Sequence, residues 1–440
     1  MPIPAHVYTL LRLFASAGEG AYPVGGCVRD TLMGIAPHDW DIAVTTAPEA
    51  TIAICEAAGY HTIPTGLKHG TVTVLVPHSG DPADRGGDYD LIECTTCRTE
   101  GGYSDGRRPD GVTFTGRITD DLSRRDFTVN AMAFTVNALA FTVDAMAFDV
   151  GAAHDSVSDS TDKAEGDPAV LDLFGGREDL QNRVIRAVGD PETRFREDGL
   201  RLMRAVRCAV KLGFQLEPNT RAAVIRCAEG LARISRERIS DEFQKILTSP
   251  RPEEGVALLT ELGLLPYVLP RGISPRSVGR LSALPADFAL RMACLQWGLG
   301  GDAADQNLAG LRLPTAVVKK IRALTRQPLL PAKITPRKAR EWRHALGELA
   351  VPALVVRSAI PVEDTPELRA FLDLVRASEE RGEPVRIADL AVSGDDLIAL
   401  GFKPGRLLQD IFCDLLEVIW EHPERNTREA LLAEAARRRD

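Results

Sequence analysis

Two aspartates stand two residues apart in the segment HDWDIAV at 38–44, as Asp39 and Asp41. In a β-strand, side chains two residues apart point to the same face, so both carboxylates would lie side by side. Neighbouring carboxylates repel each other unless a cation lies between them. Oxygen ligands suit Mg²⁺, which also leaves coordination positions for phosphates. The pair therefore predicts a magnesium site, with two exposed acids at a strand end as the simpler alternative.

A glycine-rich turn precedes this pair in YPVGGCVRDTLMG, where an apolar approach meets Gly25 and Gly26 and continues into a helix-like stretch. Glycines allow backbone N–H groups to approach an anion, and a helix N-terminus faces that anion with its positive end. Arg29, in the first turn of that helix, could add a charge-assisted contact to phosphate. Together with the aspartate pair, this turn favours nucleotidyl transfer over a plain tight turn.

A third pattern places Asp198, Arg201, Arg204 and Arg207 at three-residue intervals. On a helix, residues three apart are neighbours, so Asp198 and Arg201 would present a hydrogen-bond acceptor beside a donor fork. Cytosine and adenine show an amino donor next to a ring-nitrogen acceptor, whereas uracil and guanine show the reverse. The pair would therefore accept C and A, because the wrong base leaves buried polar groups unpaired. The alternative is a solvated helix face with an ordinary ion pair.

The elements that must position these residues change type along the chain. Strand-like runs such as TVTVLV mix with glycine and proline turns between 21 and 150, which indicates an α/β region. The polar, acidic segment 151–168 is typical of a mobile surface loop. From about 180 onward, leucine-, alanine- and arginine-rich periodicity predicts helices.

The chain has 440 residues and a net charge of −9, which by itself argues mildly against a nucleic-acid partner. Arginines cluster at 194–207, however, so a local basic face is compatible with this charge. No apolar stretch is long enough for a membrane span, and the N-terminus lacks the features of a signal peptide. Cys94 and Cys97 have no second pair to complete a zinc site, so reduced thiols in the cytoplasm are expected.

A seven-residue unit occurs three times in RRDFTVNAMAFTVNALAFTVDAMAFDV at 124–150. A continuous strand would turn its apolar face over with every copy because seven is odd, whereas a helix would keep that face to within about 20° per copy. We therefore expect the first copy to be helical and to carry the functional residues Arg125 and Asn130. The 14 residues 135–148 would be an insert that bulges outward, and their removal should leave activity largely intact.

In combination, these motifs resemble the signature of class II tRNA nucleotidyltransferases and the related bacterial poly(A) polymerases, within the polymerase-beta-like superfamily. The resemblance is carried by VGGCVRDTLMG, HDWDIAV, RRDFTVNAMAF and RVIRAVGDPETRFREDGLRLMRAVRCAVKLGF. It implies that Asp39 and Asp41 are catalytic and hold Mg²⁺, and Glu93 is a candidate third carboxylate. The implied nucleotide-binding residues are Gly26, Arg29, Arg125, Asp198, Arg201, Arg204 and Arg207.

The resemblance also implies an α+β fold, in which a polymerase-beta-like nucleotidyltransferase head with a small mixed sheet precedes an all-α neck, body and tail. The expected boundaries are a head at 1–182 with an insertion at about 135–168, a base-recognising neck at 183–250, a body at 251–385 and a tRNA-binding tail at 386–440. The implied reaction adds C, C and A to tRNA 3′ ends from CTP and ATP without a nucleic-acid template. It would take place in the cytoplasm and involve no membrane.

Three alternatives remain open at this point. Poly(A) polymerases tend to carry a basic stretch after the aspartate strand, where this chain has GYHTIPTGLKHGTVTV, the form of CCA-adding members. A match to the family's flexible loop at 98–114 favours complete CCA addition over CC-only or A-only addition. The third alternative is an RNA-binding protein with decayed catalysis, against which the retained Asp39, Asp41 and Arg125 argue.

Overall fold

The computed structural model describes residues 3–84, 86–101, 111–135, 169–274 and 278–438. The chain forms two compact units, Met1–Ser235 and Arg236–Asp440. The first unit combines strands with helices, and the second is helical. The predicted fold class, an α+β head with a small mixed sheet followed by helices, is therefore confirmed. The finer division into head, neck, body and tail stays a prediction.

The strands of the described residues lie in the first unit. They are β1 (Ala21–Pro23), β2 (Asp41–Val44), β3 (His61–Gly66), β4 (Thr71–Pro77), β5 (Tyr89–Thr96), β6 (Arg98–Glu100), β7 (Val112–Phe114), β8 (Met132–Thr135), β9 (Ala169–Asp172), β10 (Val184–Ile185) and β11 (Gln215–Leu216).

The first five strands form one mixed sheet in the order β1-β2-β5-β4-β3. β2 and β5 are parallel, and the other neighbouring pairs are antiparallel. Alternation along β4 turns Val72, Val74 and Val76 to one face, where all three are fully buried. Val74 and Val76 share a core with Leu10 of the first helix. On β5, the opposite face is exposed and carries Glu93. The sheet therefore has one face covered by helices and one face open at Glu93.

The first unit also contains helices. They are α1 (Ala5–Ser16), α2 (Gly26–Leu32), α3 (Pro48–Ala57), α4 (Ile118–Ser123), α5 (Gly176–Asn182), α6 (Pro191–Glu197), α7 (Leu200–Leu212) and α8 (Pro218–Cys227). The first of them, α1, buries Val7, Leu10, Leu11 and Phe14 along one face.

The second unit is built from helices. They are α9 (Arg236–Leu247), α10 (Pro252–Glu261), α11 (Leu265–Val268), α12 (Phe288–Leu295), α13 (Gly301–Leu311), α14 (Thr315–Thr325), α15 (Pro336–Leu346), α16 (Ala350–Ser358), α17 (Pro366–Glu380), α18 (Gly394–Ala399), α19 (Arg406–Glu421) and α20 (Arg428–Ala436).

Local sequence explains where several of these helices begin. Both α15 and α17 start at a Thr-Pro pair, in which the side chain of Thr335 or Thr365 accepts a hydrogen bond from a backbone N–H of the first turn. Proline suits the first helical position because its fixed φ is already helical and it has no N–H to satisfy. None of the helices in the described part of the chain combines the length and apolar character that crossing a bilayer requires.

The seven-residue repeat departs from the helix expected for its first copy. Thr128–Asn130 forms a 3₁₀ turn, and β8 follows at once and pairs antiparallel with β9. Met132 and Ala133 are fully buried there, so a partner strand and burial outweigh the helical period of the repeat. Thr135 ends this strand and donates a side-chain hydrogen bond to the Ala169 carbonyl, so the expected insert at 135–148 overlaps β8 by one residue. The later copies lie outside the described residues.

Candidate active site

Three carboxylates gather at the open face of the sheet. Asp41 is the first residue of β2, and parallel pairing places it directly beside Glu93 of β5. Asp39 lies two residues before Asp41, and all three residues are exposed. The expectation that one strand carries both aspartates is wrong for Asp39, which precedes the strand. The register instead makes Glu93 the nearest strand neighbour of Asp41, which supports its selection as a third carboxylate.

The electrostatics of this cluster favour a bound cation. Although the residue as a whole is exposed, the surrounding protein desolvates the Asp41 carboxyl and raises its pKa. The negative charges of Glu93 and Asp39 raise this pKa further, whereas the charge of Arg125 lowers it. A carboxyl whose pKa rises for these reasons is one whose negative charge lacks compensation. Carboxylate oxygens are the donors that Mg²⁺ prefers. The donor set of Asp39, Asp41 and Glu93 therefore fits a divalent cation.

The glycine turn lies against the second arginine of the RRDF motif. Gly25 has a φ of 78°, in the left-handed region that favours glycine. A Cβ on this residue would lie 2.8 Å from Nη1 of Arg125. The backbone N–H of Gly25 also donates to the Met132 carbonyl at 3.3 Å. Sequence reasoning emphasised Gly26, whereas the structure shows that Gly25 is the glycine whose left-handed backbone disfavours a side chain and which lies against Arg125.

Arg29 lies deeper than its predicted role suggests, since it is 7% exposed. Its Nη1 donates to Oδ1 of Asn130 at 2.6 Å, and its Nε donates to Oδ1 of Asp30 at 2.8 Å. Asn130 in turn donates to Oδ1 of Asp126 at 3.3 Å. The arginine of the glycine turn therefore orients the asparagine of the first repeat copy.

Arg125 and Arg124 share one buried carboxylate, that of Asp121. Arg125 donates to Oδ2 of Asp121 from Nη2 at 2.8 Å and from Nε at 3.1 Å. Arg124 donates to Oδ1 of the same residue. Burial alone would raise the pKa of Asp121, but the two arginines outweigh it and the pKa falls. Sequence reasoning missed Asp121, although its spacing of three and four residues from the arginines is that of helical ion pairs.

The predicted base-reading pair is arranged differently from the expectation. Asp198 lies in the break between α6 and α7 with an extended backbone, not on a common helix face with Arg201. Arg201 is 8% exposed and pairs with Glu197. Arg201 also donates to the backbone carbonyls of Arg194 at 3.1 Å and Arg124 at 2.9 Å. Its guanidinium is therefore held in a fixed place that joins α6, α7 and the RRDF segment.

A further ion pair ties α7 to the RRDF motif. Nη2 and Nε of Arg204 each lie 2.6 Å from Oδ2 of Asp126. Burial would raise the pKa of Asp126, but the charge of Arg204 outweighs it and the pKa falls to about 2. Arg204 and Arg207 are both partly buried. The charges of Arg207, Arg204 and Arg29 all act on the Cys208 thiol, which shows that α2 and α7 bring these cations to one region.

The arrangement brings together most of the residues expected from the sequence. The charges of Glu93, Asp39 and Arg125 act on the Asp41 carboxyl. Within the RRDF segment, Arg125 lies against the glycine turn and Asp126 pairs with α7. Carboxylates that can bind a divalent cation thus stand beside arginines that can bind phosphate. This combination is suited to chemistry at a nucleoside triphosphate.

Comparisons with known proteins agree with this geometry. Residues 21–186 match the family described as Poly A polymerase head domain, and residues 213–272 match that described as Probable RNA and SrmB-binding site of polymerase A. A CCA-adding enzyme of Limosilactobacillus fermentum is 34% identical over 97% of this chain and 95% of its own length. A CCA-adding enzyme of a Geobacillus species is 34% identical over 90% of this chain and 87% of its own.

Solved structures give the same picture. The crystal structure of Bacillus stearothermophilus CCA-adding enzyme in complex with CTP is 30% identical with a TM-score of 0.74, and the match covers 100% of this chain and 98% of that one. Thermotoga maritima CCA-adding enzyme complexed with tRNA_CCA is 18% identical with a TM-score of 0.67, over 99% of this chain and 95% of that one. The second similarity shows a shared fold.

Proposed function

The chain belongs to the family of CCA-adding enzymes, and we propose on that basis that it adds C, C and A to the 3′ end of tRNA from CTP and ATP without a nucleic-acid template. The observation that carries the proposal is the pairing of Asp41 with Glu93 beside Arg125. CTP as a substrate is supported by the similar Bacillus stearothermophilus enzyme, whose structure is a complex with CTP. The 3′-hydroxyl of tRNA attacks the α-phosphorus, and pyrophosphate leaves.

Asp39, Asp41 and Glu93 are the proposed metal-binding residues. The family uses a divalent metal, and Mg²⁺ is the proposed ion because all three donors are carboxylate oxygens. When bound, the metal lowers the pKa of the attacking hydroxyl and neutralises charge on the leaving group. Arg125 and the Gly25–Gly26 turn hold the triphosphate close to these carboxylates. Arg29 acts indirectly, because its guanidinium donates a hydrogen bond that positions Asn130.

Base selection is assigned to Asp198 and Arg201. The Asp198 carboxylate lies at a helix break, where it can accept a hydrogen bond from the amino group of C or A. The fixed guanidinium of Arg201 donates to the ring nitrogen, and U and G are rejected because they present the reverse pattern. Arg204 and Arg207, one and two helical turns further along α7, are assigned to the triphosphate or base.

The head, neck, body and tail boundaries expected from the sequence remain part of this proposal. They assign base recognition to 183–250 and the tRNA acceptor arm to the tail at 386–440. Backbone phosphates and helix shape are the features by which proteins usually hold duplex RNA. The cytoplasm is the proposed location.

An incorporation assay tests the proposal. tRNA transcripts that end before CCA, at C and at CC are incubated with labelled CTP or ATP, and the products are sized. We expect C, then C, then A to be added. Long A tracts would indicate a poly(A) polymerase, and addition that stops at CC or occurs at CC alone would indicate a CC-only or A-only enzyme. Binding without any addition would indicate decayed catalysis.

Two variants test the residue assignments within that assay. Asp41→Asn should abolish addition of both nucleotides, whereas Asp88→Asn, an exposed aspartate just before β5, should retain it. Asp198→Ala should relax the choice between bases while some transfer persists. If Asp198→Ala reduced the transfer of every base equally, so that base preference stayed unchanged, the assigned role in base selection would be wrong.

A further inference from the structure

Two histidines and an aspartate form a cluster away from the active site. His6 of α1 and His78, just after β4, both face Asp90 of β5. Nε2 of His6 lies 2.7 Å from Oδ2 of Asp90, and Nε2 of His78 lies 3.0 Å from Oδ1. One donor atom from each residue lies within 4.8 Å of the other two. Three side chains from separate parts of the chain thus converge on one point.

The cluster lies on the other face of the sheet from the catalytic carboxylates. Residues of a strand alternate between faces, so Asp90 shares a face with the buried Ile92 and Cys94, while Glu93 points to the open face. His6 belongs to α1, whose neighbouring Val7 packs into the core beneath the sheet. The cluster is therefore separate from Asp39, Asp41 and Glu93.

We propose that His6, His78 and Asp90 bind a zinc ion. Zn²⁺ is a borderline-soft ion that imidazole nitrogens bind together with carboxylate oxygens, whereas Mg²⁺ prefers oxygen ligands alone. Zinc bonds to nitrogen and oxygen are about 2.0–2.2 Å long, so tetrahedral ligand atoms stand about 3.4 Å apart. The hydrogen-bonded distances of 2.7 and 3.0 Å are about 0.7 and 0.4 Å shorter than that separation. Outward movement of the Asp90 and His78 side chains, which are 42% and 51% exposed, opens the space.

The role of such an ion would be to fasten α1 to the hairpin formed by β4 and β5. The backbone N–H of His78 already donates to the Asp88 carbonyl, where the two strands meet their connecting loop. The side chain of His6 is 11% exposed. Two imidazoles and one carboxylate leave a fourth position for water. An ion there joins the first helix to two strands and adds stability without contact with the reacting nucleotide.

Zinc retention by the full-length, untagged protein tests the proposal. The protein is stripped with EDTA, dialysed against micromolar ZnCl₂ with millimolar MgCl₂ to occupy oxygen-only sites, and its metal content is measured by mass spectrometry. We expect about one zinc ion per chain in the unaltered protein and in Asp41→Asn. His78→Ala should bind zinc more than about tenfold more weakly, measured as the ZnCl₂ concentration at which half of the chains carry zinc. His61→Ala, a variant of an exposed histidine on β3 of the same sheet, should retain zinc.

Hydrogen exchange provides a second measurement. Zinc should slow exchange at the backbone amides of α1 in the unaltered protein and leave His78→Ala unchanged. The far-ultraviolet circular dichroism spectrum of His78→Ala shows whether this variant is folded. If His78→Ala does not fold, His78→Gln takes its place in the comparison. The proposal is overturned if the unaltered protein retains no zinc, which would leave a His–Asp–His hydrogen-bond cluster. Equal zinc content in the unaltered protein and His78→Ala would also overturn it, as would equal loss in His61→Ala.

Discussion

Carboxylates orient the arginines of the candidate active site. Asp126 pairs with Arg204, and Glu197 pairs with both Arg201 and Arg194. Asp121 likewise pairs with both Arg124 and Arg125. Because Arg125 lies against the Gly25 turn, these contacts hold a guanidinium where a phosphate could accept charge-assisted hydrogen bonds.

Asp126 provides a pH-dependent test at the residue scale. Its pKa in the folded protein, about 2, is below the ordinary value of 3.8, so its stabilising effect is complete above the ordinary value and disappears as the pH falls through about 2. For this buried carboxyl the difference is on the order of 2 kcal/mol at neutral pH. Asp126→Asn should therefore lower the free energy of unfolding at pH 6, and the effect should shrink below pH 3.8 to about a third of its size near pH 2.5.

Urea unfolding at several pH values measures this difference. The matched control is Asp88→Asn, which should change stability little at any pH. A gap between the unaltered protein and Asp126→Asn that does not narrow in acid would contradict the assigned ion pair with Arg204.

The repeat offers a comparison between residues with the same local sequence. Asn130 in the first copy links Arg29 to Asp126, whereas Asn137 is its counterpart in the second copy. Asn130→Ala should lower kcat/KM for CTP by more than about tenfold, since it removes buried hydrogen bonds from two charged partners worth roughly 1.5–3 kcal/mol each. Asn137→Ala should leave the value within about twofold. Equal effects of the two changes would contradict the view that only the first copy is functional.

At the scale of elements, the break between α6 and α7 depends on a close backbone contact. Gly199 has a helical φ of −57°, so alanine would ordinarily be preferred there by about 0.5–1 kcal/mol. A Cβ at this position, however, would lie 2.8 Å from the Gly230 carbonyl oxygen. Backbone atoms yield little, and overpacking costs about 1–3 kcal/mol. The close approach therefore leaves no room for a side chain at the residue between Asp198 and α7.

Gly199→Ala should consequently lower the thermal unfolding temperature and weaken the discrimination between CTP and UTP. Gly116→Ala is the matched control, because a Cβ there has no neighbour within 4 Å, and it should change neither property appreciably. Differential scanning fluorimetry and competition between the two nucleotides measure these effects. If Gly199→Ala is as stable and selective as the unaltered protein, the backbone around Gly199 and Gly230 can move apart without loss of stability.

At the scale of the whole molecule, the net charge of −9 does not reveal the arginines of the candidate active site, and it says little about the tail at 386–440, which is proposed to bind tRNA. The tail has its own core, which includes Leu397, Leu415, Ile419 and Leu431. A chain that ends at 385 should therefore leave the first unit folded. The loss should appear in the use of tRNA and not in the binding of CTP.

We expect this truncation to raise the KM for tRNA by more than about tenfold, because contacts to backbone phosphates supply much of the affinity for nucleic acid. Steady-state kinetics with varied tRNA measure the change, and the affinity for CTP, measured by calorimetry, serves as the internal control. An unchanged KM for tRNA would show that the tail does not bind the acceptor arm.

The sequence by itself determined the fold class and selected the candidate residues of the site. Period-two runs such as TVTVLV and helical periodicity after about 180 are local properties, and they predicted an α/β region followed by helices. Residue types at fixed spacing, as in Asp39 and Asp41 or the RRDF motif, indicated the chemistry for the same reason. Both kinds of inference depend on neighbours in the chain.

The tertiary structure decided which distant residues meet. Strand order placed Glu93 beside Asp41, and β9 made a strand of a repeat whose period is helical. A break between two helices separates Asp198 from the face of Arg201, whose guanidinium pairs with Glu197. The packing of α1 places His6 beside Asp90. Each outcome depends on the packing of segments far apart in sequence, where burial and pairing contribute more free energy than local preference.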